Sequence, residues 1–214
     1  IIVIVIFLSL LELINNNKAN VKYVINTNKQ YTIESINQNI ASKDLDSLYQ
    51  GQISKTQIIK GNPFEIGIFD EERNRLTKFF RNNGVYNFQQ NSIRYTASID
   101  SSGIDNKIPV TIEISNLQKR EKDSMKIIPY KIHKIKRINL YVDSPGNLGQ
   151  IPTYTDSIIH NDLMIFSKGK LKYNPKTLEN SIFIKTGSFY SDLARSQTYK
   201  YLSNLKNFKY PSIT

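Results

Sequence analysis

The chain holds two histidines, His133 and His160, and no cysteine. Neither histidine has a second ligand at a metal spacing, so the sequence offers no zinc or iron centre. Without a thiol there is neither a disulfide framework nor thiolate chemistry. His133 reads as a strand-surface residue. Gly61-Asn62-Pro63-Phe64 precedes a helical stretch but lacks the lysine and glycine spacing of a phosphate loop and the three glycines of a dinucleotide fingerprint. A turn that uses glycine's permissive backbone is the simpler reading. Asp70-Glu71-Glu72 brings three carboxylates together and could form a catalytic acid cluster. Acids in the first turn of a helix are explained equally well by the helix dipole and by i,i+4 pairing such as Glu71 with Arg75. No enzyme signature survives, so the expectation is a protein that is not an enzyme and needs no cofactor or metal.

Binding is the remaining class. The net charge of +11, from 29 Lys and Arg against 18 Asp and Glu, favours something anionic. The cations gather at Lys119, Arg120, Lys122, Lys126, Lys131, Lys134, Lys136 and Arg137, around a linker and the strand after it. A solvated basic junction explains that cluster; contact with an anionic surface is the alternative. The 13 tyrosines invite a nucleic-acid reading. Most aromatics, however, fall at apolar-face positions, and none interleave with cations as an RNA-reading sheet requires. They are core residues, and no nucleic acid is expected as a partner.

The elements that must position any binding surface repeat. Tyr31-Thr-Ile33-Glu-Ser-Ile36 returns as Tyr130-Lys-Ile132-His-Lys-Ile135. The step from Gly61 to Leu76 equals the step from Gly187 to Leu202, so glycine and helix keep register while the segment between Tyr130 and Gly187 is longer than its counterpart. In the first copy a strand over residues 30–40 leads to a short helix from Ser42, its N-cap, with Leu45, Leu48 and Tyr49 at helical spacing. A longer helix from Phe69 follows, with Phe69, Leu76, Phe79 and Phe80 on one face and Gly84 as terminator. Residues 91–100 and 106–116 make a hairpin through Ser101-Ser102-Gly103, with Val110, Ile112 and Ile114 on one face. The order is β-α-α-β-β.

The second copy opens with a strand over residues 137–143. A loop insertion occupies residues 144–170, a short helix has Pro175 at its first position, and a longer helix capped by Ser191 carries Leu193, Tyr199, Leu202 and Leu205. A strand begins at Lys209-Tyr210. The expected fold class is α+β: tandem small modules with a mixed sheet and helices packed on one face. The expected boundaries are 1–28 for the partial end of a preceding module, 29–118 for a complete one, 119–129 for a basic linker, and 130–214 for a module lacking its last strand. Val21 to Asn26 reads as a strand running into a turn. Residues 1–14 are almost wholly apolar, yet short of the roughly 20 residues that span a membrane. A signal-sequence remnant and a buried strand followed by a helical turn are the other readings. Such a sheet leaves a strand edge to which an extended peptide can be added through backbone hydrogen bonds.

Several motifs carry a resemblance. Lys60-Gly61-Asn62-Pro63-Phe64, Glu71-Glu72-Arg73-Asn74-Arg75-Leu76 and Arg81-Asn82-Asn83-Gly84-Val85-Tyr86-Asn87-Phe88 resemble the glycine-plus-aromatic turn, second helix and second-strand approach of the POTRA domain. This is the polypeptide-transport-associated module of outer-membrane assembly and translocation proteins. Ile184-Lys185-Thr186-Gly187-Ser188-Phe189-Tyr190-Ser191, then Tyr199, Leu202 and Phe208, repeat the pattern. The wording is most similar to the BamA/TamA-like proteins of Bacteroidetes, over about residues 17–214.

The resemblance implies a periplasmic array at the outer membrane of a Gram-negative bacterium, preceding a β-barrel that is not in this sequence. It implies unfolded outer-membrane proteins or envelope proteins as partners. A structural docking module of an envelope complex and a basic nucleic-acid-binding protein are the alternatives. From edge-strand geometry, the candidate peptide contacts are exposed positions at Ile93, Tyr95 and Ala97, with Tyr210 and Ile213 as their counterparts.

Overall fold

Along Lys107–Ile114 every second side chain, Ile108, Val110, Ile112 and Ile114, is buried, and the others are exposed or half-exposed. A strand with one dry face must lie against a second layer. The computed structural model describes residues 30–99, 106–122, 124–143, 153–208 and 211–214, with the backbone alone of four short strands in the first 26 residues. Those four are β1 (Val5–Leu8), β2 (Glu12–Ile14), β3 (Lys18–Asn20) and β4 (Tyr23–Asn26), pairing antiparallel as β1 with β4 and β2 with β3. Within the apolar start Val5–Leu8 and Glu12–Ile14 are strands, the second of them extended where the strand-and-turn reading placed a helical turn.

The protein is α+β. In its first unit β5 (Thr32–Ile40) is followed by α1 (Lys43–Gln50), a 3-10 turn at Ile53–Lys55, α2 (Ile66–Asn82), a second 3-10 turn at Gln90–Ser92, β6 (Ile93–Ala97) and β7 (Lys107–Ile114). The sheet order is β5-β7-β6, with β5 parallel and β6 antiparallel to the central β7. This is the expected β-α-α-β-β order; the 101–103 turn of the hairpin lies outside the described residues. Pro109 sits in the central strand, where its missing N–H would interrupt a ladder. The β5–β7 register skips Glu34 at that point, so a bulge faces the proline. Leu45, Tyr49, Leu76, Phe80, Val85 and Phe88 pack against Ile93, Ile112 and Ile114, while Phe69 joins Ile33, Ile108 and Val110. The opposite sheet face, with Asn37, Asn39 and Arg94, is exposed and polar.

Helix α2 begins three residues before the expected Phe69, so Asp70-Glu71-Glu72 lies beyond its first turn and the dipole does not account for it. Pairing does, in a different register: Glu72 rather than Glu71 binds Arg75, through Nε–Oε2 and Nη2–Oε1 contacts of 2.7 Å each, and Asp70 binds Arg73. Ser42 occupies the N-cap position of α1 without capping it. Its hydroxyl donates to Asn116 Oδ1 at 2.6 Å and accepts from the Tyr130 N–H at 3.0 Å.

After β7 come β8 (Leu117–Glu121) and β9 (Ser124–Ile128), an antiparallel hairpin where a linker over 119–129 was expected. Next are β10 (Ile138–Tyr141), β11 (Asp156–His160), β12 (Leu163–Ser167), α3 (Pro175–Asn180) and α4 (Asp192–Asn204). In the segment expected as a loop insertion, 144–170, the described part from 153 onward holds a β-hairpin, β11–β12. Its hairpin makes a sheet of order β10-β12-β11, with β12 parallel to β10, and Leu163 and Ile165 join Val142 and Leu178 in a core. The alternation Leu163, Ile165, Ser167, all buried, was the sign of a strand. Ser191 accepts from Ala194 N, the cap expected for α4, and Pro175 takes the first position of α3, where Asn174 adds a cap by accepting from Lys176 N. Of the four apolar residues expected along α4 only Leu202 is buried; Leu193 and Tyr199 are exposed. Residues 211–214 are not in a strand.

The repeat is real but shifted. Tyr31 O accepts from Phe64 N, Ile33 O from Gly61 N, and Ile33 N donates to Asn62 O, at 2.8 to 2.9 Å. The same bonds recur as His133 O from Tyr190 N, Ile135 O from Gly187 N, and Ile135 N to Ser188 O, at 2.8 to 3.0 Å. Gly61 and Gly187 both take positive φ, +87° and +80°. Ile33 therefore corresponds to Ile135, three residues later than the sequence match to Ile132. Tyr130 is freed from the repeat and belongs to the first core.

Candidate functional site: the open edge of the first sheet

An antiparallel strand alternates residues whose N–H and C=O point to the partner with residues whose groups point away. Ser115 N donates to Ser92 O and Ser98 N to Pro109 O, so even-numbered positions from 92 to 98 face β7. Ile93, Tyr95 and Ala97 then aim their backbone groups at the outer edge of β6, which no strand covers among the described residues. Their side chains do not match the expectation. Ile93 is 3% exposed, Tyr95 and Ala97 are half-buried against the helix layer, and the exposed side chains are Arg94 and Thr96. Alternation carried that signal, because Ile93, Tyr95 and Ala97 pair with Ile114, Ile112 and Val110, the buried face of β7. Of the other candidates, Tyr210 lies outside the described residues. Ile213 is half-buried in non-strand backbone, so no second edge is formed there.

Two features not anticipated from sequence define the open stretch. Arg73 Nε donates to Ile93 O at 3.2 Å and its guanidinium lies 5.4 Å from the Tyr95 ring centroid, so the start of the edge is capped and the free groups run from Tyr95 to Ala97. At the other side of the sheet the 61–64 turn bonds to Tyr31 and Ile33 and covers the first part of β5. Tyr95 is flanked by Phe69, with ring centroids 5.1 Å apart, and burial raises its hydroxyl pKa well above the ordinary phenol range. Its hydroxyl oxygen is buried with no hydrogen-bond partner among the described residues. An unsatisfied buried polar group costs stability, so Tyr95→Phe is expected to raise the unfolding free energy by about 1 kcal/mol, measured by urea denaturation.

The other groups that could do chemistry are occupied. Glu72, 2% exposed, is clamped by Arg75, whose Nη1 donates to Gln52 Oε1 at 3.0 Å. Such a fully paired carboxylate cannot serve as a free general base. His160 Nε2 lies 3.0 Å from Glu179 Oε2; the Asn161 amide hydrogen bond, then His160, lower the Glu179 pKa. His133 is bound through its backbone, donating to Gly84 O at 2.9 Å, with its ring edge-on to Tyr86 at 4.9 Å. Among the described residues no cluster of three His, Asp or Glu could hold a metal ion, and no helix is long and apolar enough to cross a membrane.

The edge is held beside a polar junction. Tyr130, 1% exposed, places its hydroxyl 2.8 Å from Ser92 Oγ and 3.2 Å from Gln89 N, next to the start of β6. Asp44 accepts from Ile132 N at 2.9 Å, and Gly84 N donates to Tyr190 O at 2.9 Å. Asn82, the last residue of α2, accepts from Leu193 N at 2.8 Å in the first turn of α4. Burial and the hydrogen bond to Asp192 push the Tyr190 hydroxyl pKa up to about 12.

No family model and no curated protein matches the chain. Among solved structures, a crystal structure of Haemophilus influenzae BamA POTRA3-5 aligns over 85% of this chain and 88% of that chain. The identity is 11% and the TM-score 0.30, a distant likeness.

Proposed function

We propose that the chain is a polypeptide-binding arm of POTRA type, serving an outer-membrane assembly or translocation factor from the periplasmic side and taking extended segments of unfolded substrates or envelope partners as an added strand. The observation that carries this reading is the edge of β6: backbone groups of Tyr95 and Ala97 point outward from a sheet whose helix-side face is packed. An added strand would gain its affinity from those N–H and C=O groups and little from side-chain identity, which suits many unfolded sequences. The β-α-α-β-β order and the sequence motifs quoted above supply the link to the POTRA class.

The test is Ala97→Pro, which removes one outward N–H and leaves the β7 ladder intact, as edge strands tolerate. Titrated calorimetrically with an unfolded outer-membrane strand peptide, this variant is expected to bind about tenfold more weakly, the worth of roughly one hydrogen bond. Arg94→Ala, on the polar face, should bind as the parent does. Equal affinity of Ala97→Pro and parent, with unchanged circular dichroism, would overturn the proposal.

A further inference from the structure

Between Leu117 and Arg137 stand eight Lys and Arg and two acidic residues, so +6 of the chain's +11 lies in 21 residues. The hairpin β8–β9 begins this stretch. Only its base is used by the fold: Leu117 is buried and Ile128 packs on the first core. Beyond the base, Lys119 stands directly opposite Lys126, and Arg120 directly opposite Met125. Like charges across a ladder weaken it, and a lone two-stranded hairpin has little stability to spare. Lys126 finds Glu121 at 3.7 Å; Lys119, Arg120 and Lys122 have no ion-pair partner among the described residues. On the other face Met125 and Ile127 are 58% and 64% exposed, beside Arg120 and Gln118. Packing explains neither the repulsive pair nor the two bare apolar side chains.

We infer that this hairpin docks on a bilayer surface that presents anionic headgroups. Met125 and Ile127 enter the boundary between headgroups and acyl chains, and Arg120, opposite Met125 on the same face, meets the phosphates together with Lys122 at the hairpin turn. The two classes of residue are what an interfacial element requires: apolar side chains that gain from leaving water, and cations drawn by the surface potential. Nucleic acid fits less well, because residues 117–128 contain no aromatic ring on which a base could stack. This contact is separate from the β6 edge, which lies on another strand pair.

The test uses the whole chain in flotation with phosphatidylglycerol–phosphatidylcholine vesicles and with phosphatidylcholine vesicles alone. Binding is expected only to the anionic vesicles and should fall steeply with salt. Arg120→Ala with Lys122→Ala should reduce the partition coefficient roughly 30-fold. Met125→Ser with Ile127→Ser should reduce it about tenfold without moving the thermal midpoint. The chain has no tryptophan, so Ile127→Trp supplies a reporter whose emission should shift to the blue on anionic vesicles alone. Equal binding to both vesicle types, no binding, insensitivity to either double variant, or equally tight binding to duplex DNA would overturn the inference.

Discussion

Tyr130→Ala is expected to lower the unfolding free energy by about 4 kcal/mol, the usual cost of removing a large buried aromatic side chain. Tyr130 is 1% exposed, lies tilted against Phe88 with ring centroids 5.0 Å apart, and packs in the core with Leu45, Phe80 and Ile114. It belongs by position to the segment that leads into the second unit, yet its side chain completes the first. Its hydroxyl joins Ser92 and Gln89, so Tyr130→Phe separates packing from hydrogen bonding and should cost only about 1 to 2 kcal/mol. Urea denaturation followed by circular dichroism gives both numbers. A loss below about 1 kcal/mol for the alanine variant would mean that the first unit does not need the residue.

Gly84→Ala is expected to cost about 3 kcal/mol, from two independent sources. Gly84 has φ +98°, where a side chain is strained by about 1 to 2 kcal/mol. A Cβ there would lie 2.6 Å from Ile132 Cγ2 and 3.2 Å from both the N and O of His133. Those backbone atoms cannot swing aside, because His133 N donates to Gly84 O and His133 O accepts from Tyr190 N. Overpacking of this kind adds about 1 to 3 kcal/mol. Because the collision is with the approach to the second unit, the variant should also unfold in two separable steps where the parent unfolds in one, as calorimetry would resolve. A single transition at the parental midpoint would show that the backbone absorbs the extra methyl.

Much of the first unit was legible because its signals agree. The alternation of Ile108 to Ile114, the Leu45–Tyr49 spacing and the Phe69–Phe80 stripe each match the element they form. The acids of α2 misled because a run of carboxylates resembles a helix start, whereas Glu65 at the N-cap leaves Ile66 and Ile68 in the first turn. The repeat register slipped by three because Ile132, Ile135 and Ile138 are spaced so that a shift of three still matches apolar to apolar. Ile93, Tyr95 and Ala97, expected as exposed positions, lie on an edge strand with their side chains turned to the helix layer. Exposure of a strand's edge and exposure of its faces are separate properties, and sequence alternation reports only the second. Arg73 over the Ile93 carbonyl had no signal at all, since it joins residues 20 apart on different elements.

The cap that Asn82 provides to α4 bears on how the chain would respond to load. The final residue of one long helix closes the first turn of the next, and Arg81 and Asp192 lie 3.8 Å apart beside it. Rotating one helix against the other would strip that cap and pull Gly84 from Tyr190 at the same moment. Bending is thereby opposed by several bonds that must fail together. A tug on a strand held at β6 would be passed along such a joint as along a strut, with little of the displacement lost to slack.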